Sequence, residues 1–303
     1  EQIARFAVNQ YKYPSLDVRP YFKRNYLYGE AMTHILGYVG RINDRDVERL
    51  KKEEKFANYS GSTDMGKLGI ERYYEEQLHG TTGFEEVEIN NRGKVIRKLR
   101  EQPATAGKSI HLTIDFTLQR YIMSLLSGQK GAVVVLDPKD NSVLAMVSTP
   151  SYDNNLFVDG ISSSDYKRLL EDPTRPLYSR ATQGVYPPAS TVKPFVAVAA
   201  LTEGVITPNT TIFDPGYWTL PNSTKRFRDW KKTGHGYTDL NKAITESSDT
   251  FFYQTAFNLG IDRFSMWMKR FGFGMPTGIE IQEEATANMP SKEWKQKRYK
   301  KPW

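Results

Sequence analysis

Lys193 is the one charged residue in "YPPASTVKPFVAVAAL", which begins at Tyr186, and it follows Ser190 by three positions. Pro187 and Pro188 disfavour a helix before them, and Pro194 is tolerated only in a first helical turn. A helix is therefore expected from about Ser190 through "VAVAAL", with residues three apart sharing a face. An amine kept from water by apolar neighbours is easier to hold uncharged. A neutral amine beside a hydroxyl can take its proton, which is the chemistry of a serine nucleophile with its base. Ser190 at the helix start also sets its N–H where a developing oxyanion could sit. The competing reading is structural: Lys193 reaches water along its stem, and Ser190 caps the helix.

The S-x-x-K spacing recurs at Ser127/Lys130 and Ser164/Lys167. The first pair lies in "SGQKG", a loop between glycines. The second lies in "SSSDYKRLLED", where polar neighbours let the lysine face water, so neither calls for a chemical role. A second constellation, Ser247-Ser248-Asp249 in "ITESSDTFFYQ", opens another apolar helical run. It can supply a proton-shuttling hydroxyl and a substrate-binding side chain, or simply cap a helix. Between the two motifs lie Asp214, Asp229 and His235. Carboxylates and imidazole suit zinc, with a structural role. Position 248 could offer a fourth ligand, but Ser248 is a poor one for zinc. The alternative is that Asp214 and Asp229 form turns in "FDPG" and "RDWKK". His34, His79 and His111 are scattered through the first part of the chain.

Several elements must position these residues. "GIERYYEEQLHGTTGFEEVEINNRGKVIRKL" reads as a helix from Gly69, a turn over Gly80–Gly83 and a hairpin turning at "NNRGK". "HLTID" reads as a short strand, with Asp115 capping the helix that follows. "GAVVVLDPKDNSVLAMVSTP" reads as an antiparallel hairpin buried on both faces, turning at "DPKDN". Helical patterns follow, in "LNKAITESSDTFFYQTAFNLG" and "GIDRFSMWMKRFGFG". Strands followed by a helical block suggest an α+β domain with helices packed on an antiparallel sheet. Residues 1–109 are polar and mixed, read as a support module, and residues 110–303 as the domain with the chemistry.

"YPPASTVKPF", "SSDTFFYQ", "GAVVVLDP", "MVSTPSYDNNLFVDG" and "GIERYYEEQLHGTTG" resemble the class B penicillin-binding proteins of the elongation type. "RNYLYG" at Arg24–Gly29 resembles the R-x-Y-x-x-G stretch of their pedestal, so the likeness covers essentially the whole chain. It implies a penicillin-binding/serine β-lactamase-like transpeptidase domain of antiparallel sheet and helices behind a non-catalytic, dimerisation-type pedestal. It further implies a peptidoglycan D,D-transpeptidase of cell elongation, acylated on Ser190 by stem peptides and by β-lactams. Lys193 would be the base and Ser247 a proton relay, with Asp249 lying beside the substrate. Many family members carry asparagine at the last position; an aspartate there is better suited to a charge partnership with Lys193. No metal or organic cofactor is implied for the chemistry. The implied partners are a SEDS-family glycan polymerase and elongation scaffold proteins, and the implied setting is periplasmic, with an inner-membrane anchor ahead of residue 1.

The family's K-[ST]-G motif is expected well after S-x-D, on the strand edging the cleft, where it would complete the oxyanion hole and anchor the substrate carboxylate. Lys232-Thr233-Gly234 precedes Ser247 in a glycine-containing loop and reads as a chance match. The chain therefore reads as one whose C-terminal part is missing. Two rivals keep the same residues: a serine β-lactamase or D,D-carboxypeptidase, and a non-catalytic scaffold of the cell-wall machinery.

Composition narrows the classes. The chain has 303 residues, 39% hydrophobic and 25% charged, as in soluble globular proteins, and no run of eighteen apolar residues. With no cysteine there is no disulfide and no thiol nucleophile. Net charge is +7, and six of the ten residues from Lys292 to Lys301 are basic. That stretch could touch nucleic acid or anionic lipid, or be a solvated surface. No zinc-finger or recognition-helix pattern supports nucleic acid as a partner.

Overall fold

A computed structural model describes residues 2–13, 16, 22–91, 93 and 95–303. The fold is mixed α and β, and the chain divides into two compact units. One comprises Glu1–Ala181 with Glu280–Glu283, and the other Thr182–Ile279 with Glu284–Trp303.

In the first unit the R-x-Y-x-x-G stretch is an anchor. Arg24 Nε lies 2.8 Å from Glu71 Oε1, and the Tyr26 hydroxyl donates to the same oxygen while accepting from the Val39 N–H. Glu71 is only 6% exposed, so its charge is tolerable there because it is paired. The helix expected from Gly69 is two short helices, Gly69–Tyr73 and Glu75–His79, broken at Tyr74. The Glu75 carboxylate accepts from the Gly66 N–H at 2.7 Å and fixes the second segment in its own direction. Gly69 has φ +59°, and a Cβ there would meet the Ile35 carbonyl at 2.5 Å, so only glycine fits. The hairpin follows as Phe84–Ile89 paired with Val95–Gln102. Its expected turn includes Arg92 and Lys94, which lie outside the described residues.

"HLTID" forms no strand. Among the described residues it lies against the later hairpin through two bonds, Asp115 N–H to the Leu144 carbonyl and Thr113 Oγ1 to the Val143 carbonyl. Asp115 does cap the helix Phe116–Leu125, accepting from the Leu118 N–H. The hairpin Gly131–Leu136/Val143–Thr149 forms around the expected turn, with a register irregularity between Val135 and Leu136. Burial on both faces holds for its second strand but not its first, in which Ala132, Val134 and Leu136 are exposed. The helix Phe116–Leu125 covers one face, setting Leu118, Ile122 and Met123 against Val133, Val135, Ala145 and Val147. Buried Gln119 binds both the N–H and the carbonyl of Met146, satisfying the strand backbone much as a neighbouring strand would.

His34 ties this unit's stability to pH. Its Nε2 is buried without a hydrogen-bond partner among the described residues. Burial pushes its pKa from 6.5 down to about 4, against the pull of the Pro150 carbonyl and with help from Arg180. Below pH 6.5 the unfolded chain binds a proton that the folded chain refuses, so stability falls with pH until the folded ring titrates near 4. Denaturant unfolding is expected to show about 3 kcal/mol lost between pH 7 and pH 4 from this group, and His34→Gln is expected to flatten the profile.

In the second unit the helices pack on one another. Lys193–Thr202, Asp249–Leu259 and Ile261–Arg270 meet around Val196, Ala197, Ala200, Phe251, Phe252 and Met268. Alanines along the first helix let its neighbours approach closely. Two short ribbons, Ile212–Asp214/Gly236–Thr238 and Tyr217–Thr219/Arg226–Arg228, form the excursion between the two motifs. The second ribbon joins Trp218 and Phe227 to Tyr253 in one aromatic cluster.

Candidate active site

Ser190 sits in a single 3₁₀ turn, Ala189–Val192, and the α-helix begins at Lys193, with Pro194 in its first turn. The onset is three residues later than expected. Ala189 takes φ +48°, a left-handed conformation that separates the Tyr186–Pro188 run from the helix. Ser190 makes no capping bond and is exposed, so its hydroxyl is open to an incoming molecule.

Lys193 does not reach solvent and is 7% exposed. Its Nζ lies 2.7 Å from the Ser247 carbonyl, 2.7 Å from Asp249 Oδ1 and 3.1 Å from Ser247 Oγ. Three polar oxygens thus surround the head group. The expected apolar surroundings are therefore met for the stem and not for the head. The stem is apolar-packed, with the Phe252 ring 5.7 Å from Nζ, but the head is wholly in polar company. Ser190 is not a direct partner of Lys193. Ser247 Oγ stands between them, donating to Ser190 Oγ at 2.8 Å.

The expected single helix across "LNKAITESSDTFFYQTAFNLG" is two, Leu240–Thr245 and Asp249–Leu259. Ser247 has φ +56°, which turns both its carbonyl and its hydroxyl toward Lys193. A serine in this region is strained and persists only where its surroundings hold it. Ser248, fully buried, caps the second helix at the Phe251 N–H and donates to the Asp214 and Asp229 carboxylates.

Asp229 is the main brace. Its Oδ2 accepts from the Asp249 N–H at 2.7 Å and the Thr250 N–H at 2.9 Å, at the positive end of the second helix. Burial alone would raise its pKa, but the N–H groups of Thr250, Lys231 and Asp249 outweigh burial and bring it to about 2. His235 lies between two carboxylates, with Nδ1 2.7 Å from Glu246 and Nε2 3.3 Å from Asp229. The imidazole holds the Glu246 carboxyl below its usual range.

Ligand atoms of Asp214, Asp229 and His235 all lie within 4.8 Å of one another, and all three residues are buried. The turn reading holds as well: Asp214 accepts from the Gly216 N–H and Asp229 from the Lys231 N–H. Sequence reasoning missed two contributors. The Trp230 N–H binds the second oxygen of Asp249, and Glu246 orients His235. Glu246 adjoins the motif in "TESSD" and so carried a signal; a backbone N–H carries none. Lys232-Thr233-Gly234 lies in a turn, with Lys232 and Thr233 exposed.

Residues 131–301 match the penicillin binding protein transpeptidase domain, and residues 1–112 the penicillin-binding protein dimerisation domain. The chain is 83% identical over 303 residues to the peptidoglycan D,D-transpeptidase MrdA of Haemophilus influenzae, covering 100% of this chain and 46% of that protein. It is 64% identical over 302 residues to MrdA of Escherichia coli K12, covering 48% of it. The chain thus spans about half the length of the curated relatives it matches. Among solved structures, Pseudomonas aeruginosa PBP2 in complex with WCK 5153 shares 45% identity at a TM-score of 0.80, covering 95% of this chain and 59% of that one. PBP2 of Helicobacter pylori in complex with MreC shares 32% at 0.85, covering 99% and 55%. A serine–lysine–serine site in a transpeptidase-domain match, behind a dimerisation domain, places the chain among the class B penicillin-binding proteins.

Proposed function

We propose that the protein of which these residues are part is a peptidoglycan D,D-transpeptidase of cell elongation, acting through an acyl-enzyme on Ser190. The observation that carries this reading is the hydrogen-bonded chain from buried Lys193 through Ser247 to exposed Ser190. In the resting arrangement donation runs outward, from Nζ to Ser247 to Ser190. For attack it must reverse. Nζ first passes a proton to Asp249 Oδ1, 2.7 Å away, and then accepts the Ser190 proton through Ser247. Ser190 Oγ bonds to the penultimate D-Ala carbonyl carbon, the peptide C–N bond breaks, and the relayed proton leaves on the amine of the terminal D-Ala. A stem-peptide amine then attacks the ester, its proton returns along the chain, and Ser190 is regenerated. β-Lactams would acylate the same oxygen. The chemistry uses no cofactor.

Residues 110–303 would carry this reaction and residues 1–109 the pedestal. Scaffold proteins of the elongation machinery and a SEDS-family glycan polymerase are the proposed partners; the complex of the Helicobacter pylori relative with MreC supports the former. The proposed setting is the periplasm, behind an inner-membrane anchor. Among the described residues no helix is long and apolar enough to cross a membrane. A fluorescent penicillin tests the reading on the full-length protein. A long-lived covalent label that vanishes in Ser190→Ala supports it. Rapid turnover of a chromogenic β-lactam would move the assignment to a hydrolase, and absence of label would move it to a scaffold.

A metal is a second reading of the excursion. Asp214, Asp229 and His235 fit as donors for zinc, with Glu246 behind His235 as a ligand-orienting carboxylate. Bound there, zinc would stiffen the Ser247–Asp249 turn and take no part in the acyl transfer. Elemental analysis of protein purified without chelator is expected to show one zinc per chain; protein free of zinc that still binds penicillin would refute this.

A further inference from the structure

Glu246 lies outside the hydrogen-bonded chain from Lys193 to Ser190, yet two separate brackets run from it to Asp249. It closes the helix Leu240–Thr245, its N–H donating to the Lys242 carbonyl, and it precedes the left-handed Ser247. The first bracket uses its side chain. The carboxylate faces His235 Nδ1 at 2.7 Å, His235 Nε2 lies 3.3 Å from Asp229 Oδ1, and Asp229 Oδ2 accepts from the Asp249 N–H at 2.7 Å. An ionised carboxylate can only accept, so Nδ1 carries the proton. The His235 side chain is wholly buried, so its ring has no water to turn toward. The second bracket uses the Glu246 backbone. Its carbonyl accepts from Trp230 Nε1 at 3.0 Å, and the Trp230 N–H donates to Asp249 Oδ2 at 3.2 Å. The Trp230 and His235 rings meet edge-on with 5.5 Å between centres, so each bracket supports the other.

We propose that Glu246 is a positioning residue for the acyl transfer: tied to Asp249 twice across the Ser247 turn, it sets the Ser247 and Asp249 oxygens against Lys193. The proposal rests on the acyl-enzyme reading of Ser190. The Glu246 carbonyl and the Ser247 N–H belong to one planar peptide unit, so fixing that carbonyl on the indole fixes one side of the strained serine. The bond from the Trp230 N–H to Asp249 Oδ2 fixes the other side and leaves Oδ1 for Lys193. A left-handed serine released at either end would relax toward ordinary backbone and carry its carbonyl and hydroxyl away from Nζ. A residue that merely ends a helix needs neither bracket.

Stopped-flow acylation of the full-length protein by a fluorescent penicillin separates the limiting rate from the half-saturating concentration, and denaturant unfolding monitors the fold. Glu246→Ala is expected to lower the limiting rate by about tenfold, because a small displacement of reacting groups is costly, while half-saturation stays within about threefold. Glu246→Gln, whose amide oxygen can still accept from His235, is expected to restore the rate to within about threefold of the parent. Trp230→Phe keeps the ring and the backbone N–H and loses only the indole N–H. It is expected to slow the limiting rate by at least about threefold, and it reads out the second bracket if Glu246→Ala fails to fold. Combining Glu246→Ala with Trp230→Phe should slow acylation by more than the product of the two, because either bracket alone still holds the turn in part. Slowing of less than about threefold in Glu246→Ala or Trp230→Phe, a loss confined to half-saturation, or a Gln variant as slow as the Ala variant would overturn the inference. Failure of the parent itself to acylate would instead overturn the reading of Ser190 on which it rests.

Discussion

Replacing Lys193 by methionine is expected to slow acylation of the full-length protein by a fluorescent penicillin by about a thousandfold, within the usual range for loss of a general base. Methionine keeps the stem and its packing on Phe252 while removing the amine that is hydrogen-bonded to the Ser247 hydroxyl. Stability should fall too, by about 2 kcal/mol, because Asp249 loses its ion-pair partner while keeping only the Trp230 N–H on its other oxygen. The Asp249 side chain is 26% exposed, which limits that cost below the value for a fully buried pair. Ser247→Ala should slow acylation by about tenfold to a hundredfold, because a water can replace the lost hydroxyl but is not held in place. Acylation within tenfold of the parent in Lys193→Met would remove lysine from the mechanism.

Asp229→Ala is expected to destabilise the second unit by about 4 kcal/mol, with acylation lost in parallel. Asp229 touches no reacting atom. Its removal leaves the Asp249 and Thr250 N–H groups without their acceptor at a buried helix start and takes one of two carboxylate partners from both the Ser248 hydroxyl and His235. The strained Ser247 turn then has little to hold it, and the carbonyl and hydroxyl aimed at Lys193 can swing away. Asp229→Asn keeps one acceptor oxygen and should cost roughly half as much. Denaturant unfolding followed by tryptophan fluorescence reports the effect through Trp218 and Trp230. An unchanged midpoint in Asp229→Ala would show that the buried network does not brace the motif.

Much of this was legible in residue types and spacing. The prolines around Ser190 announced a helix start, and a lone lysine in an apolar run announced a buried amine. Asp115 announced a cap, and the Asp214, Asp229 and His235 cluster was legible because few residues there could serve as ligands. What escaped depends on surroundings that no local pattern encodes. The exposed Ala132, Val134 and Leu136 look like core in "GAVVVL", because period and hydrophobicity cannot say how many faces a neighbour covers. "HLTID" has strand character but makes too few backbone bonds to the hairpin to become one. The polar company of the lysine head is not legible locally because its partners, Ser247 and Asp249, stand more than fifty positions away in the chain.

Lys193 is hydrogen-bonded to Ser247 and not to Ser190, so either hydroxyl could in principle be the nucleophile; exposure and direction of donation select Ser190. Peptide mapping by mass spectrometry of the penicillin-treated full-length protein decides between them. The account predicts the penicilloyl mass on the peptide carrying Ser190, with the Ser247 peptide unmodified. The adduct on Ser247, or its persistence in Ser190→Ala, would contradict it.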